Sequence, residues 1–275
     1  MKEFEGKTAV ITGGASGIGR AIAERCAKEG MNIVLADIEE KALTDTKKEL
    51  ETKGASVYAI KTDVSRINEL ETLADRTIEN FGQVHLLFNN AGVGAPGAIW
   101  ECSLDDWKWV LDVNLWGVIN GVHVFTPLMI KQNTECHIVN TASTAGLDYN
   151  SYMGPYGVSK FGIVTLSESL YLELKDIGSK VNVSVLCPGF VKTRLDDSDR
   201  NRPIGYTTAD ALSKGALEKL ELLNSGLDAG MSPTVVADIV FDAIKEEKLY
   251  ILTHKDWIPE IEKRMKNIIN ERNPV

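Results

Sequence analysis

Short β-branched runs alternate with longer stretches of helical period along this chain, and that rhythm narrows the possible folds more than any other feature. The runs are Thr8–Thr12, Asn32–Ala36, Val57–Thr62, Val84–Asn89, His137–Thr141, Val181–Cys187 and Leu249–Thr253. Strand–helix–strand units of this kind build parallel sheets with right-handed crossovers. Several runs are apolar at consecutive positions instead of alternating, the pattern of strands covered by helices on both faces. The expected fold is therefore α/β, a doubly wound three-layer sandwich around a seven-stranded parallel sheet.

Helix starts are marked by Ser65 ahead of residues 66–81, by Ser103 three residues before Asp106 as a capping box, and by Ser232 followed by Pro233. The rhythm breaks between about residues 190 and 231. That stretch is long, polar (RLDDSDRNRP) and only partly helical, around Thr208–Leu223, as expected of a lid or substrate-binding loop inserted after the sixth strand. No shift in composition marks a boundary, so residues 1–275 read as a single domain carrying that insertion and a helical tail over about 257–275. Within the tail, Ile258, Ile261, Met265, Ile268 and Ile269 recur near helical spacing. Packing on the core is the preferred explanation, ahead of closure over the substrate loop or contact with a neighbouring subunit.

Composition excludes several classes. With 44% hydrophobic and 25% charged residues the chain is neither disordered nor fibrous. Lys and Arg number 30 against 39 Asp and Glu, and a net charge of -9 repels a polyphosphate backbone, so nucleic acid is not an expected partner. Cys26, Cys102, Cys136 and Cys187 form no CxxC pair, and the four histidines fall in no metal-binding pattern, so no metal is expected. The N-terminus carries no secretory or transit pattern, and no apolar run approaches about 18 unbroken residues. A reduced, cytoplasmic protein with no membrane partner is expected.

The first strand is followed by Thr12-Gly-Gly-Ala-Ser-Gly-Ile-Gly19 and then a helix. Strand, glycine turn and helix start in that order turn backbone N–H groups and a positive helix end toward a pyrophosphate. A Walker loop would need Lys and then Ser or Thr after Gly19, where Arg20 and Ala21 stand, and the spacing GxxxGxG also differs from GxGxxG. Asp37 closes the second strand 18 residues after Gly19, where a dinucleotide fold places the acid that accepts from the adenosine ribose hydroxyls. A 2′-phosphate would meet that carboxylate, and neither Ser16 nor Ile38 is basic, so NAD is favoured, with NADP the alternative. Asp63, after the third strand, sits at the sheet edge where an adenine would lie.

Tyr156 and Lys160 are four apart in a stretch of helical period and share a face. A free phenol, with pKa about 10, is a poor base near neutrality, and an adjacent ammonium favours its ionised form. Ser143 follows the fifth strand and emerges at the same edge, where its hydroxyl can hold a substrate oxygen. Either feature alone is common in proteins.

Together these residues resemble the short-chain dehydrogenases/reductases, in their shorter single-domain branch with a Rossmann-like fold. Thr12–Gly19 is similar to the family's TGxxxGxG, Asn89-Asn-Ala-Gly92 to its NNAG, and Pro188-Gly189 with Thr193 to its PGxxxT, while Ser143 lies 13 residues before Tyr156 as in relatives. Asn114 matches the helix asparagine that relatives use to hold a relay water. The resemblance implies catalysis by Asn114, Ser143, Tyr156 and Lys160. It implies a cofactor cradle of Gly13, Ser16, Gly17, Ile18, Gly19, Asp37, Asp63, Val64, Asn90, Ala91, Gly92, Tyr156, Lys160, Pro188, Gly189, Val191 and Thr193. The expected reaction is hydride transfer between a nicotinamide and a secondary alcohol or ketone. Leu147, Tyr149, Tyr152, Met153, Phe190 and Tyr206 make the substrate region apolar and aromatic, which suits a bulky cyclic or steroid-like molecule and equally suits loop packing. The alternative from another class is a non-catalytic dinucleotide-binding regulator or scaffold. By the same analogy the helices Leu104–Lys131 and Tyr156–Asp176 pair between subunits in a homodimer or homotetramer.

Overall fold

The computed structural model describes residues 1–208 and 212–274. Among them, seven strands form one parallel sheet in the order β3-β2-β1-β4-β5-β6-β7: β1 Thr8–Thr12, β2 Asn32–Asp37, β3 Ser56–Lys61, β4 Leu86–Asn89, β5 Cys136–Thr141, β6 Val181–Cys187 and β7 Tyr250–Leu252. The order reverses between β1 and β4, which splays the chain ends apart and opens a crevice at the carboxyl ends of the strands.

Both faces of the sheet are dry. Ile11 and Ile33 pack with α1 (Gly17–Lys28), α2 (Glu40–Thr52) and α8 (Pro233–Lys245), while their neighbours Val10 and Val34 pack with α3 (Ile67–Phe81), α5 (Gly117–Gln132) and α6 (Gly154–Asp176). This two-sided burial is why the strand sequences are apolar without alternation. Between β4 and β5 a single helical rod begins as α4 (Leu104–Val110), passes through a π-helical turn (Leu111–Trp116) and continues as α5. By length and composition alone this rod is apolar enough to cross a bilayer, with mean hydropathy 1.3. Its Asn114 and Asn120 are buried against the rest of the fold.

Two expected caps form. Ser103 accepts from the Asp106 N–H while the Asp106 carboxylate accepts from the Ser103 N–H, and Ser232 accepts from the Thr234 N–H. Ser65 does not cap α3: its hydroxyl donates to Asp63 Oδ1 at 2.6 Å, and the helix starts one residue later than expected behind Arg66. Strand β4 begins at Leu86 instead of Val84, because the side chain of Gln132 takes both the N–H and the carbonyl of Val84. β7 is shorter than Leu249–Thr253, and β3 lies one residue earlier than expected.

After β6 the chain leaves the sheet and returns where Val191 pairs with Met231. The segment in between holds a 3-10 turn (Ser198–Asn201) and α7 (Lys214–Ala229). The expected helix over Thr208–Leu223 is thus shifted toward the C-terminus, and its residues 209–211 lie outside the described residues. The tail forms α9 (Ile258–Ile269), but none of its residues is buried, so packing on the core is corrected. Met265, Ile268 and Ile269 are 46%, 54% and 74% exposed. Its contact with the body runs through Arg264, stacked 4.7 Å from the Phe161 ring centre, and through Trp257 just ahead of it, edge-on to Phe190.

Candidate active site

The glycine turn after β1 is shaped by close approach. A Cβ on Gly19 would lie 2.1 Å from the Gly13 carbonyl oxygen, and Gly13, at φ +62°, has Ala91 against it. Thr12 Oγ1 accepts from the N–H groups of Asn90 and Ala91 at 2.9 and 3.2 Å, and Asn90 Nδ2 donates to the Thr12 carbonyl at 3.1 Å. The turn is thereby pinned to the loop after β4. Behind it, Asn89 donates to Asn140 and Asn140 to Ser167, joining β4, β5 and α6 through buried amides. The turn opens on a cleft of about 940 Å³ that runs along the crevice.

At one end of the cleft Asp37 is buried, accepting from the N–H of Ala15 at 3.0 Å and of Glu39 at 3.0 Å. Burial raises its carboxyl above the ordinary range, and those N–H groups partly oppose the shift. Glu39 accepts from Arg200 at 2.8 Å and from Asn201 at 3.1 Å, so the 3-10 turn of the insertion is clasped to the end of β2. Burial pushes Glu39 up, but Arg200, Asn201 and Arg194 outweigh it and hold the carboxyl below its usual range. The clasp is continued where Gly94 N–H donates to Ser198 Oγ at 3.0 Å.

Midway along the cleft, Ser143, Tyr156 and Lys160 are buried together. Ser143 starts a 3-10 turn, accepts from the Ala145 N–H at 3.2 Å, donates to the Pro188 carbonyl at 3.3 Å and lies beside the Tyr156 hydroxyl in the same cleft. Lys160, one helical turn beyond Tyr156, holds its ammonium 5.4 Å from the phenol ring centre and donates to the Thr141 carbonyl at 2.9 Å. Burial lowers Lys160 to about 8. Burial also raises Tyr156, with the Ser143 hydrogen bond opposing it. Desolvation thus sets the direction for the phenol, against the depression by Lys160 that the four-residue spacing predicts.

The sequence model described as short chain dehydrogenase matches residues 7–203, which carry the glycine turn, Ser143, Tyr156 and Lys160. The chain belongs to the short-chain dehydrogenase family. A dehydrogenase/reductase of Burkholderia phymatum, solved in complex with NAD, is 46% identical, superposes with a TM-score of 0.98 and covers 100% of this chain and 98% of its own. The CLA biosynthesis dehydrogenase/reductase of Lactiplantibacillus plantarum is 36% identical over 100% of this chain and 97% of its own length. The diacetyl reductase [(S)-acetoin forming] of Staphylococcus epidermidis is 34% identical over 89% of this chain and 94% of its own.

In this member of the family most residues expected at the cofactor site line the cleft: Gly13, Ser16, Gly17, Ile18, Asp37, Asp63, Val64, Asn90, Ala91, Gly92, Pro188, Gly189, Val191 and Thr193, with Ser143, Tyr156 and Lys160. Gly19 does not; it packs behind the turn. Nor does the Asn114 side chain, which lies in the π turn: Oδ1 accepts from Val93 N–H at 2.8 Å, and Nδ2 gives both its protons, to the Val93 carbonyl and to Ser159. It ties the rod to the cleft wall through Val93. Among the aromatic and apolar candidates Met153 and Phe190 line a smaller pocket beyond Ser143, and Tyr206 lines the cleft. Leu147 packs with Val118 and Ile163, Tyr149 is exposed, and Tyr152 lies against Gly215.

Sequence reasoning missed the Glu39–Arg200 clasp and also missed His254. The His254 Nδ1 accepts from the Gly189 N–H at 3.0 Å and its Nε2 is bonded to the Phe190 carbonyl at 3.0 Å, fixing the segment that separates the cleft from the smaller pocket. Neither had a local signal, since each partner lies far away in the chain. Among the described residues no group of three or more His, Cys, Asp or Glu is disposed around a metal position.

Proposed function

We propose that this protein is an NAD(H)-dependent alcohol dehydrogenase or ketoreductase acting on a secondary alcohol or its ketone. The observation that carries the proposal is the burial of Ser143, Tyr156 and Lys160 together, with Ser143 and Tyr156 at the junction of the long cleft and the smaller pocket. The cleft fits a dinucleotide. Glycines keep its floor free of side chains at the start of α1, and Asp37 stands at the end of β2. A nicotinamide dinucleotide bound there supplies or accepts the hydride. Tyr156 gives its proton to the carbonyl oxygen, or takes one from the alcohol in the reverse direction. Ser143 orients that oxygen. Lys160 places a positive charge beside the phenol, which makes its deprotonated form less costly.

The Asp37 carboxylate at the adenosine end supports NAD over NADP, because a 2′-phosphate would face it, whereas Glu39 beside it is already paired with Arg200. Met153, Phe190 and Tyr206 support a bulky, cyclic or steroid-like substrate. Four free cysteines support a reducing, cytoplasmic setting. Assembly as a homodimer or homotetramer completes the proposal.

The test is turnover of aliphatic, cyclic and steroidal alcohols and ketones with each of the four nicotinamide forms, read at the reduced-cofactor absorbance. Tyr156→Phe should lower kcat about 100- to 10,000-fold while NADH still binds. Turnover surviving in Tyr156→Phe, or absent from wild type across the panel while NADH binds, counts against the proposal and, in the second case, for a regulatory dinucleotide-binding protein.

A further inference from the structure

Around the cleft, Arg66, Lys108, Arg194, Arg200 and Arg202 are each ion-paired with a carboxylate. Among the described residues, two basic side chains on the cavity walls have no such partner. One is Lys160, already placed beside Tyr156. The other is Lys219, half-buried in the smaller pocket of about 80 Å³ that begins at Ser143 and Tyr156 and leads away from the cofactor cleft. Its walls are otherwise largely apolar, with Ala145, Met153, Phe190, Leu223, Leu227 and Trp257.

Lys219 reaches the pocket because α7 turns one stripe inward: Lys219, Leu223 and Leu227 recur every four residues. An ammonium carries three donors, and Lys219 gives one of them to Asn150 Oδ1 at 3.0 Å. Asn150 accepts through that oxygen, which leaves its amide nitrogen to donate from the same wall. Burial lowers the lysine from its ordinary range, the expected result of an ammonium removed from water without an anion to compensate. In a chain with 39 acidic residues against 30 Lys and Arg, a cation left unpaired in an apolar pocket is matched to something the chain does not supply.

We propose that Lys219 anchors a carboxylate carried by the substrate at its end remote from the reacting carbon, so that the preferred substrates are oxo or hydroxy acids. This rests on the alcohol and ketone chemistry proposed for Tyr156. One cation with one amide donor suits a monoanionic carboxylate better than a phosphate, which has more oxygens and more charge to satisfy. The apolar walls between Tyr156 and Lys219 accommodate the hydrocarbon that joins the two ends.

The experiment compares 4-oxopentanoate, 5-oxohexanoate and 7-oxooctanoate with their methyl esters, using NADH, in wild type, Lys219→Met and Lys219→Arg. At the best-fitting length, wild type should favour the acid about 10- to 100-fold in kcat/KM, mainly through KM. The ratio should fall to about 1 in Lys219→Met and stay above 1 in Lys219→Arg. A lysine that merely ties α7 to Asn150 would leave the acid-to-ester ratio unmoved in Lys219→Met, and that result overturns the proposal, as does a wild-type ratio of about 1 at every length. A second readout needs neither variant nor turnover: hexanoate should raise the Tm of the wild-type NADH complex more than hexanamide does. Equal shifts overturn the carboxylate anchor. Turnover of neutral ketones with equal hexanoate and hexanamide shifts would leave the oxidoreductase reading standing without it, whereas a hexanoate-specific shift with no turnover of any ketone would do the reverse.

Discussion

At Asp37 one buried carboxylate accepts from Ala15 and Glu39 N–H groups while standing where the adenosine ribose hydroxyls of a dinucleotide would lie. The two roles separate chemically. Asp37→Asn keeps an acceptor for at least one N–H and removes the charge, so its kcat/KM ratio for NADH over NADPH should fall about 10-fold or more through relief of repulsion. Steady-state kinetics with both cofactors checks this, and an unaltered ratio refutes the assignment. Asp37→Ala would confound the result, because orphaning buried N–H groups costs about 1–3 kcal/mol each. Ser143 and Tyr156 show a similar economy. The serine fixes its own 3-10 turn through Ala145 and the Pro188 carbonyl, and that same hydroxyl meets the phenol.

Elements carry the site by where they end. The strands deliver Thr12, Asp37, Asn89, Thr141 and Cys187 to one edge, and each is followed by a cleft-lining loop. Over that edge lies the insertion, held by the Glu39 clasp and by the Val191–Met231 pairing at its neck. Arg200 is half-buried and charge-assisted, so its loss should free the 3-10 turn from β2. Arg200→Ala is expected to raise the Kd for NADH about 3- to 10-fold, with a smaller effect on kcat, as measured by NADH fluorescence titration and single-turnover kinetics. An unaltered Kd would mean that the clasp plays no part in retaining cofactor. The π turn at Leu111–Trp116 is a second device of this kind. It sits where Asn114 must reach Val93 and Ser159 together, and a π turn inside an α-helix re-aims the side chains around it.

On the scale of the whole molecule the outward faces remain. Trp116, Val158 and Leu172 are exposed on the rod and on α6, and α9 presents Met265, Ile268 and Ile269 to solvent. Apolar groups left in water over several elements favour association. Light scattering behind size exclusion should therefore give a mass two or four times 30.2 kDa. A single species at 30.2 kDa would refute the proposed assembly.

Local pattern was sufficient for the strands, the glycine turn and the Tyr156–Lys160 spacing, because side-chain period, β-branching and turn chemistry act within a few residues. Thr8–Thr12 and Val181–Cys187 could be read to the residue for that reason. Other features came from packing at long range. The strand order, the Gln132 side chain that delays β4, His254 on Gly189 65 residues away and Arg200 on Glu39 161 residues away depend on which elements lie side by side. The direction of the phenol's pKa shift belongs with them. Spacing alone put an ammonium next to Tyr156, but its balance is set by desolvation, a property of everything packed around the pair. Lys219 is the same case. In the sequence it is one lysine among many, and it stands out only once α7 folds it, without a carboxylate among the described residues, into an apolar pocket.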